Sequence, residues 1–202
     1  MISGDNFFTR YALAAVIFIA AISGVSAADL APTTFDVKQL MQSLAQVKVA
    51  KGTFVERKYL SILNTPLESS GTLIYAAGRL EKHTLLPKEE IMVLEQDKLT
   101  LENKAKNQRR TVRLQSYPVI WAFVESIRST LAGDFQTLSQ FYRLALEGNA
   151  NQWRLQLLPI EPEMQAVASE IRISGSKSAI RTIEITETGG DRSVMTITQD
   201  PL

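Results

Sequence analysis

Tyr117 to Leu131, YPVIWAFVESIRSTL, is the strongest helical pattern in a chain whose other apolar residues mostly alternate. Ile120, Phe123, Val124, Ile127 and Leu131 recur at helical spacing, while Glu125, Ser126, Arg128 and Ser129 fill the opposite face. Ser116 is suited to cap the start. Pro118 is tolerated in the first turn, where its missing N–H has no helical partner anyway. Gly133 supplies a stop. One apolar helix among many strands must bury its face against a sheet, or against something the sheet holds.

The strands are read from period-two alternation between turn signals. An amphipathic helix begins at Asp36, with Val37, Leu40, Met41, Leu44 and Val47 on one stripe, and is expected to end near Val47. From Lys51 the period changes: Thr53, Val55 and Arg57 alternate with Phe54, Glu56 and Lys58. Asn64 to Pro66 reads as a turn, and the next strand carries Gly71, Leu73 and Tyr75 on one face. Gly78 leads into a strand from Arg79 to Leu86, which Pro87 ends. Glu90 to Glu95, apolar on both faces, turns near Gln96 and Asp97 into Lys98 to Asn103. Arg109 to Gln115 then enters the central helix.

Beyond that helix, Asp134 caps a short turn through Leu138. Tyr142, Leu144 and Leu146 pair through the turn Gly148 to Asn151 with Trp153, Leu155 and Leu157. Glu170 to Ser174, Ala179 to Glu187 and Ser193 to Thr198 are three further strands. The sum is about eleven strands and two substantial helices in a single domain. The fold class is mainly β with α (α+β), a large antiparallel sheet with helices on one face.

Residues 1–27 have the form of a secretory signal peptide, with Arg10 before the apolar run Tyr11 to Val25 and small residues Val25, Ser26 and Ala27 for cleavage after Ala27. An uncleaved anchor is the alternative, but a spanning helix needs about 20 apolar residues, more than this run supplies. Residues 28–202 are then the exported, mature domain. The chain has no cysteine, which excludes disulfides, thiolate metal sites, a cysteine nucleophile and a lipid-modified N-terminal Cys. A net charge of +1 gives no basis for electrostatic binding of nucleic acid.

Catalysis finds little support. The single histidine, His83, lies in a strand, and no G-x-S-x-G elbow accompanies it. Metal binding lacks ligands, no glycine loop cradles phosphate, and no cofactor is implied. A hydrolase would depend on His83 without triad partners, so a non-enzymatic protein is expected. Lys104, Lys106, Arg109, Arg110 and Arg113 form one basic cluster. It either docks an acidic partner or lipid head groups, or simply solvates a hairpin loop, the reading favoured here.

An apolar ligand remains, weighed against an ordinary core. Burying acyl carbon is worth roughly 0.8 kcal/mol per CH₂, so a chain of roughly sixteen carbons represents about 12 kcal/mol. A lipid-modified molecule does not cross an aqueous compartment unaided against that.

The whole mature chain resembles the LolA-like family, the periplasmic outer-membrane lipoprotein carriers. G-T-F-V-E-R-K is similar to the family's F-x-Q-x-K strand, and S-S-G-T-L-I-Y to G-x-L-x-[WYF]. P-K-E-E-I-M-V-L-E-Q-D-K-L-T-L resembles the hairpin P-x-x-x-x-[IL]-V-x-D-G-x-x-L-x-x. W-R-L-Q-L-L-P, I-R-I-S-G, I-R-T-I-E-I and G-D-R-S-V-M-T-I fit the C-terminal strands.

The resemblance implies an incomplete antiparallel β-barrel whose apolar concave face holds lipoprotein acyl chains beneath an α-helical lid. It also implies an inner-membrane transporter as donor and an outer-membrane receptor as acceptor. Lacking Cys, the chain fits the carrier rather than the lipid-anchored receptor, and a monomer is expected. The family's arginine falls in K-R-P, where A-A-G-R here places Ala77, with Arg79 two residues on. L-E-K-H replaces the aromatic F-x-W segment, and the central helix also looks like that of a divergent branch.

The residues expected to hold acyl chains are Leu40, Met41 and Leu44 from the first helix and Trp121, Phe123, Val124 and Ile127 from the central one. Leu73, Tyr75, Met92 and Leu94 are expected from the sheet, with period alone leaving their faces open, and Arg79 is the polar candidate. The rival reading is a lipid-sensing or scaffolding domain that binds a protein partner and transports nothing.

Overall fold

A computed structural model describes residues 35–76, 78–116 and 118–200, without the side chains of residues 118–120 and Phe123. The proposed signal peptide, Ala77 and Tyr117 lie outside the described residues.

Eleven antiparallel strands among the described residues make one sheet: β1 (Val49–Tyr59), β2 (Leu67–Ala76), β3 (Arg79–Leu86), β4 (Glu90–Glu95), β5 (Lys98–Asn103), β6 (Gln108–Arg113), β7 (Tyr142–Asn149), β8 (Gln152–Pro159), β9 (Ala168–Ser176), β10 (Ala179–Glu187) and β11 (Arg192–Gln199). Their spatial order is β6-β5-β4-β3-β2-β1-β11-β10-β9-β8-β7. Nearly every step joins chain neighbours through a short turn, and β1 with β11 closes the centre. The edge strands β6 and β7 do not pair, so the sheet is open rather than a closed barrel. Arg109, Arg110 and Arg113 on β6 are exposed, and charge along an edge discourages pairing with another chain.

Among the described residues four α-helices accompany the sheet: α1 (Val37–Ala45), α2 (Pro118–Ala132), α3 (Phe135–Phe141) and α4 (Pro162–Gln165). The capping box at α1 is complete. The Asp36 carboxylate accepts from the Gln39 N–H at 2.8 Å, and the Gln39 side chain accepts from the Asp36 N–H at 3.3 Å. The helix stops at Ala45, short of the Val47 its apolar stripe suggested. Asp134 caps α3, which runs past Leu138 to Phe141. The one-turn α4 begins at Pro162 in a stretch too short to show a period.

α2 departs most from its sequence pattern. Glu125, Ser126 and Ser129, placed by periodicity on the polar face, are buried, as is Thr130. The helix packs on α1 and α3 and also against the sheet, through Trp121, Val124, Ile127 and Leu131. Small hydroxyl residues suit the helix–helix side because they let backbones approach and bond internally. Thr130 donates to the Ser126 carbonyl at 2.6 Å, and Ser129 donates to Glu125 at 3.1 Å. Glu125 also receives the Arg128 guanidinium at 2.6 Å. Arg128 in turn donates to the Gln96 carbonyl at 3.1 Å, tying α2 to the β4–β5 turn.

Two apolar clusters hold these layers. The larger gathers Leu40, Met41 and Leu44 of α1 with Ala122 of α2, Leu138 of α3 and the inner residues of β7–β10, including Tyr142, Leu155, Leu157, Ile171 and Ile173. The smaller joins Leu94, Leu99 and Leu114, with Trp121 and Val124 of α2 packed on it. α2 therefore contributes to both, and Trp121 meets Phe141 edge-on at 5.6 Å between centroids.

Candidate functional site

Register decides what the helices face. Cα pairing aligns Ala50, Gly52, Phe54 and Glu56 of β1 with Tyr75, Leu73, Gly71 and Ser69 of β2. It continues Tyr75 to Leu80, Leu94 and Leu99, and Leu73 to Lys82, Met92 and Leu101. In the other direction Glu56, Met195, Ile183, Ile173 and Leu155 lie in one row. Since residues opposite one another in a ladder share a face, these rows define one inner surface. Leu73, Tyr75, Met92 and Leu94 all belong to it.

Gly71 marks a tight approach on this surface. A Cβ there would lie 1.9 Å from the His83 carbonyl oxygen, beside a register shift between β2 and β3. Only glycine permits that approach.

The helices fill the ends of the inner surface and leave its middle open. Under the C-terminal half of α2 is a cavity of about 220 Å³, lined by Ile127 and Leu131 from the helix. Leu73 and Tyr75 of β2, Leu80 of β3, Met92 of β4, Ile180, Ile183 and Ile185 of β10, and Met195 and Ile197 of β11 complete its aliphatic wall.

The expected site residues thus separate. Leu73, Tyr75, Met92 and Ile127 meet at the cavity. Leu40, Met41 and Leu44 are buried in the larger cluster and Leu94 in the smaller, against which the half-buried Trp121 and Val124 pack. The Phe123 side chain is outside the described residues. Arg79 belongs to the other set of β3 residues, and bonds Glu81 at 2.7 Å and Glu95 at 3.0 Å. It is a surface ion pair on the face away from Leu80 and Lys82.

The charge that does reach the cavity is Lys82, with Glu56. Their ammonium and carboxylate are in direct contact, and both line the cavity beside Ser193. The Ser193 hydroxyl donates to Glu56 at 2.8 Å and that of Ser69 at 3.5 Å, while Lys82 Nζ sits 4.8 Å from the Phe54 ring centroid. Burial raises the Glu56 pKa, but the Lys82 charge and these donors outweigh it and hold the carboxyl below its ordinary range. Sequence reading passed over this pair because the residues are 26 positions apart. The departure L-E-K-H in β3 was its one visible signal.

Tyr142 anchors the opposite end. Its hydroxyl donates to the Ala122 carbonyl at 3.3 Å, and burial, opposed by a hydrogen bond with Ser126, pushes its pKa up to about 12. His83 sits in β3 on the face shared with Arg79, 2.9 Å from Glu81. No group of acids and histidines among the described residues is arranged to hold a metal. No described helix is long and apolar enough to cross a membrane.

Several solved structures are similar to this chain. An uncharacterized conserved protein from Thermus thermophilus aligns with TM-score 0.50 at 9% identity, covering 81% of this chain and 86% of that one. An outer membrane lipoprotein-sorting protein domain from Vibrio parahaemolyticus, described as putative, gives 0.43 at 10% identity, covering 80% and 88%. A LolA superfamily protein from Nitrosomonas europaea gives 0.40 at 7%, covering 80% and 91%. No curated protein matches the chain in sequence. The model of the family described as outer membrane lipoprotein carrier protein LolA-like matches residues 28–198, and with that span the chain belongs to the LolA-like family.

Proposed function

We propose that this protein is a non-catalytic periplasmic carrier that binds the acyl chains of a lipoprotein or related acylated cargo between α2 and the inner face of its sheet. The observation that carries this reading is the aliphatic cavity under Ile127 and Leu131, left between two well-packed clusters. An apolar void of about 150 Å³ stays dry and admits a benzene-sized guest. At about 220 Å³ the cavity here accepts the end of one chain and no more. A full acyl group therefore enters by displacing α2. Loading exchanges contacts between helix and sheet for contacts between lipid and sheet, which keeps net affinity low enough for release.

On this reading the chain is exported by a signal peptide cleaved after Ala27. It collects cargo from an inner-membrane transporter and delivers it to an outer-membrane receptor. Its family membership supports lipoprotein binding in the cell envelope. The test is solvent extraction and mass spectrometry of the protein isolated gently from a periplasmic extract, followed by uptake of added lipoprotein. Bound acyl species, with uptake reduced at least about tenfold in Ile127→Glu, are expected, because a carboxylate in the cavity costs several kcal/mol to bury. A protein free of acyl species that also takes up none would overturn the proposal, and a partner-binding domain would replace it.

A further inference from the structure

The cavity adjoins a second depression at its β3–β4 end. Lys82 and Met92 line the cavity and also line this open groove of about 660 Å³, which continues over Thr84, Leu101 and Arg110. Register places Lys82, Met92, Leu101 and Arg110 in one row across β3, β4, β5 and β6. Three strand spacings put the ends of that row about 14 Å apart, within the joint reach of two long side chains. The row thus runs from the aliphatic cavity wall past Lys82 to the exposed guanidinium of Arg110.

Two of the acids nearby have side-chain partners. Glu56 is held by Lys82 and Ser193, and Glu90 accepts from Asn103 Nδ2 at 3.0 Å. Glu102 pairs in register with Arg109, one residue out of step with the inner row. Among the described residues Arg110 has no side-chain hydrogen bond or ion pair. Lys82 gives one of its three N–H donors to Glu56 and also lines the groove.

We propose that this groove is the head-group subsite of an anionic amphiphile, whose carboxylate or phosphate is held by Arg110 and Lys82 while its acyl chain enters the cavity under α2. The assignment rests on the acyl-binding reading above and adds the charge of the ligand. Guanidinium and ammonium donors form their strongest hydrogen bonds with such oxygens. The neighbouring aliphatic wall selects those oxygens only when they carry a chain.

The test is displacement of a fluorescent acyl probe from the delipidated full-length protein. The competitors are palmitate, palmitoyl-lysophosphatidylglycerol, neutral monopalmitin and glycerol 3-phosphate. The two anionic lipids are expected to compete about tenfold more tightly than monopalmitin, a difference worth about 1.4 kcal/mol, and the chainless phosphate not at all. Palmitate against the lysophospholipid tells which anion the groove prefers. In Arg110→Gln, an exposed change, and in the charge-neutral pair Lys82→Gln with Glu56→Gln, the anionic-to-neutral ratio should collapse. An equal affinity for anionic and neutral lipids in the wild type, a ratio unmoved in both variants, or competition by glycerol 3-phosphate would overturn the head-group assignment. Binding of monopalmitin would in those cases leave the carrier reading standing, whereas failure of every acylated competitor removes both.

Discussion

Glu56 keeps its charge beside an aliphatic wall only because Lys82, Ser193 and Ser69 replace the water it loses. Removing one partner is therefore worse than removing both. Lys82→Met strands a partly buried carboxylate and should cost about 2–4 kcal/mol, near the lower end of the range for broken buried pairs. Lys82→Met combined with Glu56→Leu should be close to neutral. Urea unfolding of the two single variants and the double variant measures this coupling. The pH dependence has a fixed sign. Glu56 has a folded pKa below its ordinary value of 4.5, so its stabilisation is fully present above that value. It is lost as pH falls through the lower folded pKa. The stability gap between wild type and Glu56→Gln should accordingly shrink below about pH 4.

At the scale of elements, Gly133 fixes how α2 meets α1. Its φ is +67°, and a Cβ would lie 2.1 Å from the Met41 carbonyl oxygen and 2.7 Å from the Ala45 N–H nitrogen. Gly133→Ala therefore meets both left-handed strain and a backbone clash, and should lower stability by more than about 1 kcal/mol in thermal or urea unfolding. A wild-type midpoint in that variant would show that α1 does not rest on this turn. Gly133 was legible as a helix stop, and turn residues likewise marked β3, β4, β5 and β10 at their observed bounds. The burial of Ser126, Ser129 and Thr130 was not legible. A period of polar residues reads as a solvated face, whereas these are buried and satisfy their hydroxyls within the fold. Glu56 and Lys82 were hidden for a different reason. Their meeting requires the register of β1, β2 and β3, and single-strand alternation says nothing of which strands adjoin.

Across the whole molecule, the cavity is where stability and loading oppose each other. The sheet stays open between β6 and β7, the helices pack firmly over both flanks, and the void falls under the Ile127–Leu131 end of α2. Filling it should strengthen the empty protein and weaken the loaded one. Leu131→Phe adds a ring where free space exists, so a gain of about 0.5–2 kcal/mol in unfolding free energy is expected. The same contacts must be given up when an acyl chain displaces α2. Displacement of a fluorescent acyl probe by lipid should therefore show weaker binding by about the same free energy, roughly twofold to thirtyfold. If the ring stabilises the fold and leaves acyl affinity unchanged, the chain enters somewhere other than beneath α2. If it destabilises, the void is already compressed by its neighbours and overpacking governs the site.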